Sequence, residues 1–437
     1  MNRDRPPQRP QSSYALVLLL ATAAALVAVA LTGERSKPAP RPGEELDATA
    51  AAELAIELTP EVASRIAQMR GLEFEEVPLP RVITGERLSE IAEDDFRERV
   101  GDPVEVLAAD TAIARIVGLL EPGADLLGLV EGTGDFAAAV WDTREQRLYV
   151  VAEAAAGGPA TLELFLAHEL VHALEDQAFG LPEPDPDAED DATLAERALI
   201  EGTATALMDE YATRYIDPLA LGSEALGLDP GTEGLPDFAV EQLEWTYFDG
   251  AEFVERLYEL GGGWDLIDNA LESRPPESSE QILHPLSYVR DEGPHQVAIR
   301  SGGELRAGGW ERADTGALGE LATRQLLALG VDDAEAERAA EGWGGDRYEL
   351  WTRGVDPIDC EGSCREDQVL VIRWRWDTPA DAAEFRRAAR TYVEEGLGGE
   401  PAGDGVSALG DGWVEIAAEP GSTSLTFAPS RELARTG

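Results

Sequence analysis

His168-Glu169-Leu170-Val171-His172 puts two imidazoles and a carboxylate inside a stretch that reads as one helix. Histidines four residues apart lie almost one turn apart, so both project from one face and can converge on a single ion at about 2.0–2.1 Å. Glu169, one step round the helix from His168, is close enough to hold a water on that ion without ligating it, which is where a general base belongs. The chain has only 4 histidines, so a chance match to this pattern is expected in under about one such chain in a hundred. The chemistry indicated is hydrolysis assisted by Zn2+, with Glu169 taking the proton of the attacking water and passing it to the leaving group. Two ordinary core histidines are the plainer alternative. A polar pair on an apolar segment needs a partner, however, and zinc supplies one.

Two imidazoles leave a tetrahedral catalytic zinc one protein ligand short. Glu201 is the candidate. In Leu199-Ile200-Glu201-Gly202-Thr203-Ala204 it falls on the stripe Leu194, Ala198, Glu201, Thr205, Met208 of a second helix, where a lone carboxylate is costly unless it meets a cation. Gly202 and Ala204 would let that helix pack closely against the first. His284 is the rival third ligand, and His295, in Gly293-Pro294-His295, reads as a solvent-facing loop residue.

The elements that must hold these groups are legible from patterning. The first helix is expected from Thr161 to Phe179, stopped by Gly180 and Pro182, and the second from Asp190 to Tyr215, before Pro218. Further helices are expected at 236–261 and 315–329. Ala137–Val140 and Leu148–Val151, either side of a polar turn, read as a hairpin just before the first helix. Near the C-terminus Leu370, Ile372, Trp374 and Trp376 alternate as a half-buried strand, Thr378-Pro379 opens a helix, and Trp413–Ala417 and Ser424–Ala428 are two more strands. A boundary near Ser301-Gly302-Gly303 divides a helix-rich part from a smaller α+β part. Cys360 and Cys364, in Cys-Glu-Gly-Ser-Cys, fit a small disulfide loop better than a zinc or redox site.

With 86 acidic against 35 basic side chains and a formal net charge of −51, the surface repels nucleic acid, and no nucleic-acid partner is expected. Arg3, Arg5 and Arg9 precede an apolar or small-residue run from Tyr14 to Thr32, long enough for a helix to cross a bilayer, with the arginines kept on the cytoplasmic side. The expected layout is therefore a cytoplasmic N-terminus at 1–13, a transmembrane anchor at 14–32, a stalk or linker at 33–75 marked by Pro38, Pro40 and Pro42, a catalytic domain at 76–300 and a C-terminal domain at 301–437. On this reading the protein is a single-pass membrane protein with its catalytic domain outside. A cleavable signal ending near Ala28-Val29-Ala30, giving a secreted protein, is the alternative.

HELVH followed by Glu-Gly-x-Ala resembles the gluzincin branch of zinc metallopeptidases, in which a Glu on a later helix completes the site. The longer runs HELVHALEDQ, ALIEGTA, SSEQILHPLSY and GWGGDRYELW are similar to a group of bacterial membrane-anchored zincin-like proteins, over roughly residues 65 to 430. The resemblance implies an α+β fold: a helix-rich, zincin-like metallopeptidase domain with a smaller C-terminal α+β domain. It also implies peptide or protein substrates, and an edge strand above the active helix, for which the 137–151 hairpin is the candidate. Related peptidases use a distal His or Tyr to stabilise the oxyanion, so His284 or Tyr288 would serve here; a loop histidine packed before Pro285 is the bland reading. Thermolysin-like members place an Asp four residues after the third ligand, where this chain has Thr205. Asp176, one turn beyond His172, could instead accept an imidazole N–H, or be a plain exposed carboxylate. The competing function is a non-catalytic surface binding protein in which zinc is structural.

Overall fold

The computed structural model describes residues 48–99, 101–131, 138–152, 158–182, 190–225 and 235–436. It is a mixed α+β structure, with a helical region followed by a C-terminal antiparallel sheet.

Among the described residues the first helix, α1 (Ala48–Arg70), buries Ala51, Ala55, Val62, Ala63 and Ile66 along one stripe, the spacing of a helix that faces a core. Residues 48–70 are therefore not part of a stalk; the prolines that suggested one lie earlier, and residues 33–47 are outside the described residues. The expected anchor is corrected in the same way. Among the described residues no helix is long and apolar enough to cross a membrane, and the 14–32 segment to which the anchor was assigned lies outside them.

Strand β1 (Arg81–Ile83) leads into α2 (Gly85–Arg99) and α3 (Ala108–Val117). The hairpin follows as β2 (Ala139–Asp142) and β3 (Arg147–Val151). The sheet order is β1-β3-β2, with β1 parallel and β2 antiparallel to β3, so β2 is an edge strand. Three residues are too few to show a period of two, which is why β1 is not visible in the sequence.

Helix α4 (Pro159–Phe179) carries the His-Glu-x-x-His pattern. It opens with proline in its first turn and ends at Gly180, whose φ of 71° lets its N–H reach the Asp176 carbonyl. Thr161 to Glu175 are buried on nearly every side, because α4 runs through the main apolar core with α1, the hairpin, α5 (Asp190–Tyr215) and α6 (Asp237–Gly261) around it. Helices α5 and α6 touch backbone to backbone: a Cβ on Gly202 would lie 2.2 Å from the Gly250 carbonyl carbon, and one on Gly250 2.2 Å from the Ala198 carbonyl oxygen. The glycine before the expected close packing is thus used against α6 rather than α4. Helix α7 (Asp265–Glu272) follows.

After the short helix α8 (Ser279–Leu283) comes the seven-stranded sheet. Its elements are β4 (Glu311–Gly316), α9 (Gly319–Ala328), α10 (Asp333–Ala340), β5 (Trp343–Thr352), β6 (Gln368–Trp376), α11 (Pro379–Thr391), β7 (Glu400–Gly403), β8 (Val406–Leu409), β9 (Gly412–Glu419) and β10 (Ser422–Ala428). The order is β4-β5-β6-β10-β9-β8-β7, every neighbour antiparallel. Leu370, Ile372, Trp374 and Trp376 face α11, where both indoles pack on Phe385. Val369 and Val371 face a second cluster with Trp310 and Trp351, so the first half of β6 is covered on both faces, while Arg373 and Arg375 leave its second half half-buried as expected. Thr378 and Asp381 form a capping box at the start of α11. Helix α3, early in the sequence, joins this late core: Arg115 donates to the Cys360 carbonyl at 2.6 Å and the Tyr392 hydroxyl to the Val117 carbonyl at 2.7 Å. Cys360 and Cys364 form the expected disulfide.

The helical region and the sheet meet at an acidic joint. The Ser279 N–H donates to Asp191, its hydroxyl accepts from the Leu321 N–H, and Asp346 accepts from the Leu318 and Gly319 N–H groups. Burial, with Glu320 and Asp377 nearby, pushes the Glu280 carboxyl from the usual 4.5 up to about 8, against an opposing pull from His284; Glu292 adds a further upward push. A carboxyl raised on folding binds more protons in the native than in the unfolded chain between those two values, so stability falls as pH rises through that window. Glu280→Gln is expected to raise the melting temperature above pH 8 and to lose that advantage below pH 4.5. A melting difference that does not change with pH would remove Glu280 as the source.

Candidate metal centre

His168 and His172 leave α4 on the side that faces α5, and Glu201 meets them from α5. Nε2 of His168 lies 3.2 Å from Oε2 of Glu201, Nε2 of His172 lies 3.3 Å from the same oxygen, and the two Nε2 atoms are 3.1 Å apart. The residues are 0%, 4% and 2% exposed respectively. Among the described residues this is the group of histidine and carboxylate side chains close enough to hold a metal ion. Ligands at about 2.0–2.1 Å from a tetrahedral ion stand about 3.3–3.4 Å apart, so the three edges fit a small ion bound by all three atoms.

The electrostatics suit a cation as well. Burial alone would raise the Glu201 carboxyl, but Arg197 and the two imidazoles outweigh it and hold it well below the usual carboxylate range. Arg197, one turn earlier on α5 and itself buried, donates from Nη2 to Oε1 of Glu201 at 2.8 Å, which turns Oε2 toward the imidazoles. The sequence reading missed Arg197. Its signal was a cation four residues before a carboxylate on a buried helix face.

Glu169 is fully buried beside His168. Its Oε2 accepts the Trp141 backbone N–H from the edge strand at 2.7 Å, while Oε1 has no hydrogen-bond partner among the described residues. Burial, with some help from the Glu201 charge and opposed by His168, raises its carboxyl from 4.5 to about 7. One oxygen is thus fixed and the other is left for a proton.

Asp176 does not take an imidazole N–H. Its Oδ2 accepts from Trp141 Nε1 at 2.9 Å and from Gln146 Nε2 at 2.6 Å, and its Oδ1 accepts from the Leu181 N–H at 3.0 Å. It ties the hairpin to the end of α4, because the chain turns back at Gly180 directly over it. His284 and Tyr288 are likewise not brought to the centre. Pro285 begins a new helical turn that leaves His284 on Glu320, 3.1 Å away, and the Tyr288 hydroxyl donates to the Arg274 carbonyl at 2.8 Å with its ring on Phe253. Neither an oxyanion role nor third-ligand status fits these positions. His295 is exposed, as expected.

His172, Arg197 and Glu201 open onto a cleft. Its near wall is the edge strand, with Val140, Trp141 and Asp142, and its outer wall is α2, with Leu88, Ile91 and Ala92. Arg144, in the hairpin turn, pairs with Asp95 at 3.3 Å and Glu98 at 2.8 Å and so links the two walls. Residues 306–430 match a family described as a domain of unknown function, DUF8575. The DUF8575 region covers the seven-stranded sheet and its helices and includes none of the residues of the centre. No curated protein and no solved structure matches the chain.

Proposed function

We propose that the chain is a zinc-dependent peptidase of the gluzincin type, with a zincin-like arrangement around α4 and α5. The observation that carries this reading is the triangle of His168, His172 and Glu201 donor atoms at the foot of a cleft, beside the unpartnered Oε1 of Glu169. A zinc ion bound there would supply Lewis-acid chemistry, polarising a carbonyl and making a water more acidic.

The chain's own groups do the rest. Oε1 of Glu169 takes the proton of the attacking water and returns it to the leaving amine, and Trp141 keeps the carboxylate from rotating away. Arg197 fixes Glu201 in place. Peptides are the proposed substrate class because β2 is an edge strand beside the cleft, where an extended chain can pair through main-chain hydrogen bonds.

Protein purified without added metal is expected to carry zinc in proportion to its concentration by elemental analysis, and to cleave members of a mixed-peptide library. Stoichiometric zinc with no cleavage would favour the structural-zinc binding protein. No retained divalent metal would end the reading.

A further inference from the structure

Two buried polar atoms, one helical turn apart on α4, have no hydrogen-bond partner among the described residues: Nδ1 of His172 and Oε2 of Glu175. Glu175 is fully buried, and its other oxygen accepts from Nε of Arg70 at 2.7 Å. Arg70 has no exposed side-chain surface. It also donates to Asp268 on α7 at 2.5 Å, and it stacks on the Trp264 ring, 4.3 Å from the centroid.

A carboxylate and a guanidinium buried this deeply are usually no more stabilising than apolar side chains of similar shape, so packing alone is a weak reason for them to stand under the metal helix. Burial raises the Glu175 carboxyl, Arg70 opposes that, and the charge of His172 lies near enough to act on it too. An imidazole that binds metal through Nε2 carries its proton on Nδ1, and that proton needs an acceptor that fixes tautomer and ring orientation. Asp176 is committed to Trp141, Gln146 and Leu181. Glu169, one turn before His172, is held by the Trp141 N–H, and Glu175 is the remaining carboxylate one turn after it.

We infer that Glu175 is a positioning residue for His172: its Oε2 accepts the Nδ1–H, directly or through one bridging water, while Arg70 holds the carboxylate from behind. The relay runs from α1 through α4 to the centre, so α1 sets the orientation of a ligand it does not touch. This rests on the metal reading above.

The test measures zinc affinity by competition with a chromophoric chelator for the parent, for Glu175→Gln and for the double variant Arg70→Met/Glu175→Leu. Beside it, the Nδ1–H proton signal of His172 is followed by NMR in zinc-loaded, histidine-labelled protein. Both variants are expected to bind zinc about 10–100-fold more weakly, with the His172 Nδ1–H signal shifted or lost to solvent exchange. Glu175→Gln removes one of the two charges that Arg70 meets, leaving Asp268 alone, and if the single variant unfolds, the double variant, which removes the buried guanidinium as well, decides. If neither variant folds, a parent His172 Nδ1 that carries a slowly exchanging, downfield proton supports the relay, and one that carries no proton overturns it. Parent-like affinity in a folded variant also overturns it. If the parent takes up no zinc, the functional reading fails first; if parent and variants bind alike, this inference alone fails.

Discussion

Glu169→Gln is expected to leave the zinc content unchanged and to lower peptide hydrolysis by about 10²–10⁴-fold, the range a positioned base contributes. Glutamine keeps the length of the side chain and an oxygen for the Trp141 N–H, so the hairpin contact at 2.7 Å survives. What it removes is the second oxygen's capacity to take a proton, and that oxygen is the one with no other engagement among the described residues. Metal analysis and a peptide-cleavage assay on the same preparation check the two halves together. Undiminished turnover with bound zinc would take the base role away from Glu169.

Glu201→Ala is expected to abolish zinc retention and to destabilise the metal-free protein by about 1.5–3 kcal/mol, the range of a hydrogen bond to a charged group, because Arg197 loses its buried contact with this carboxylate at 2.8 Å. Displacing the carboxylate without removing it should act in the same direction. In Gly202→Ala the added carbon meets the Gly250 backbone at 2.2 Å, where no flexible side chain can give way, so α5 must shift and carry Glu201 with it. Overpacking of this kind costs about 1–3 kcal/mol, a fall of roughly 2–4 °C in melting temperature per kcal/mol for a domain of 150–250 residues. Thermal melts with and without zinc, together with chelator competition, read both effects. A Gly202→Ala protein that matches its parent in both would show that the α5–α6 contact does not govern the carboxylate.

The readable parts of this molecule were those fixed by neighbours in sequence. The spacing of His168, Glu169 and His172 needs only a helix, and the helix needs only Pro159 and Gly180 at its ends. Glu201 could be singled out because a carboxylate in an apolar stripe demands a cation whatever the tertiary arrangement. The helix start at Thr378-Pro379, the β2–β3 hairpin and the disulfide are local in the same sense.

Groups whose role depends on distant chain were misplaced. Nothing near His284 in sequence indicates that it meets Glu320, 36 residues on, and nothing near Asp176 indicates that the Trp141 indole comes back over it. Residues 48–70 look like the continuation of a linker until α4 supplies the apolar surface their alanines cover. Likewise α3 gives no sign that it will help close the core of a sheet whose strands begin about two hundred residues later.

The outer wall of the cleft is held quite differently from the inner one. Phe96 anchors the far end of α2 in a cluster with Leu107 and Ala114, while its near end packs through Leu88 on Val151, and the exposed Arg144 ion pairs tie it to the hairpin. Contacts that wet break far more readily than a packed interior. The candidate centre therefore sits between an inner wall built into the main core and an outer wall tied on partly by exposed ion pairs, so the outer wall is expected to loosen before the inner one does.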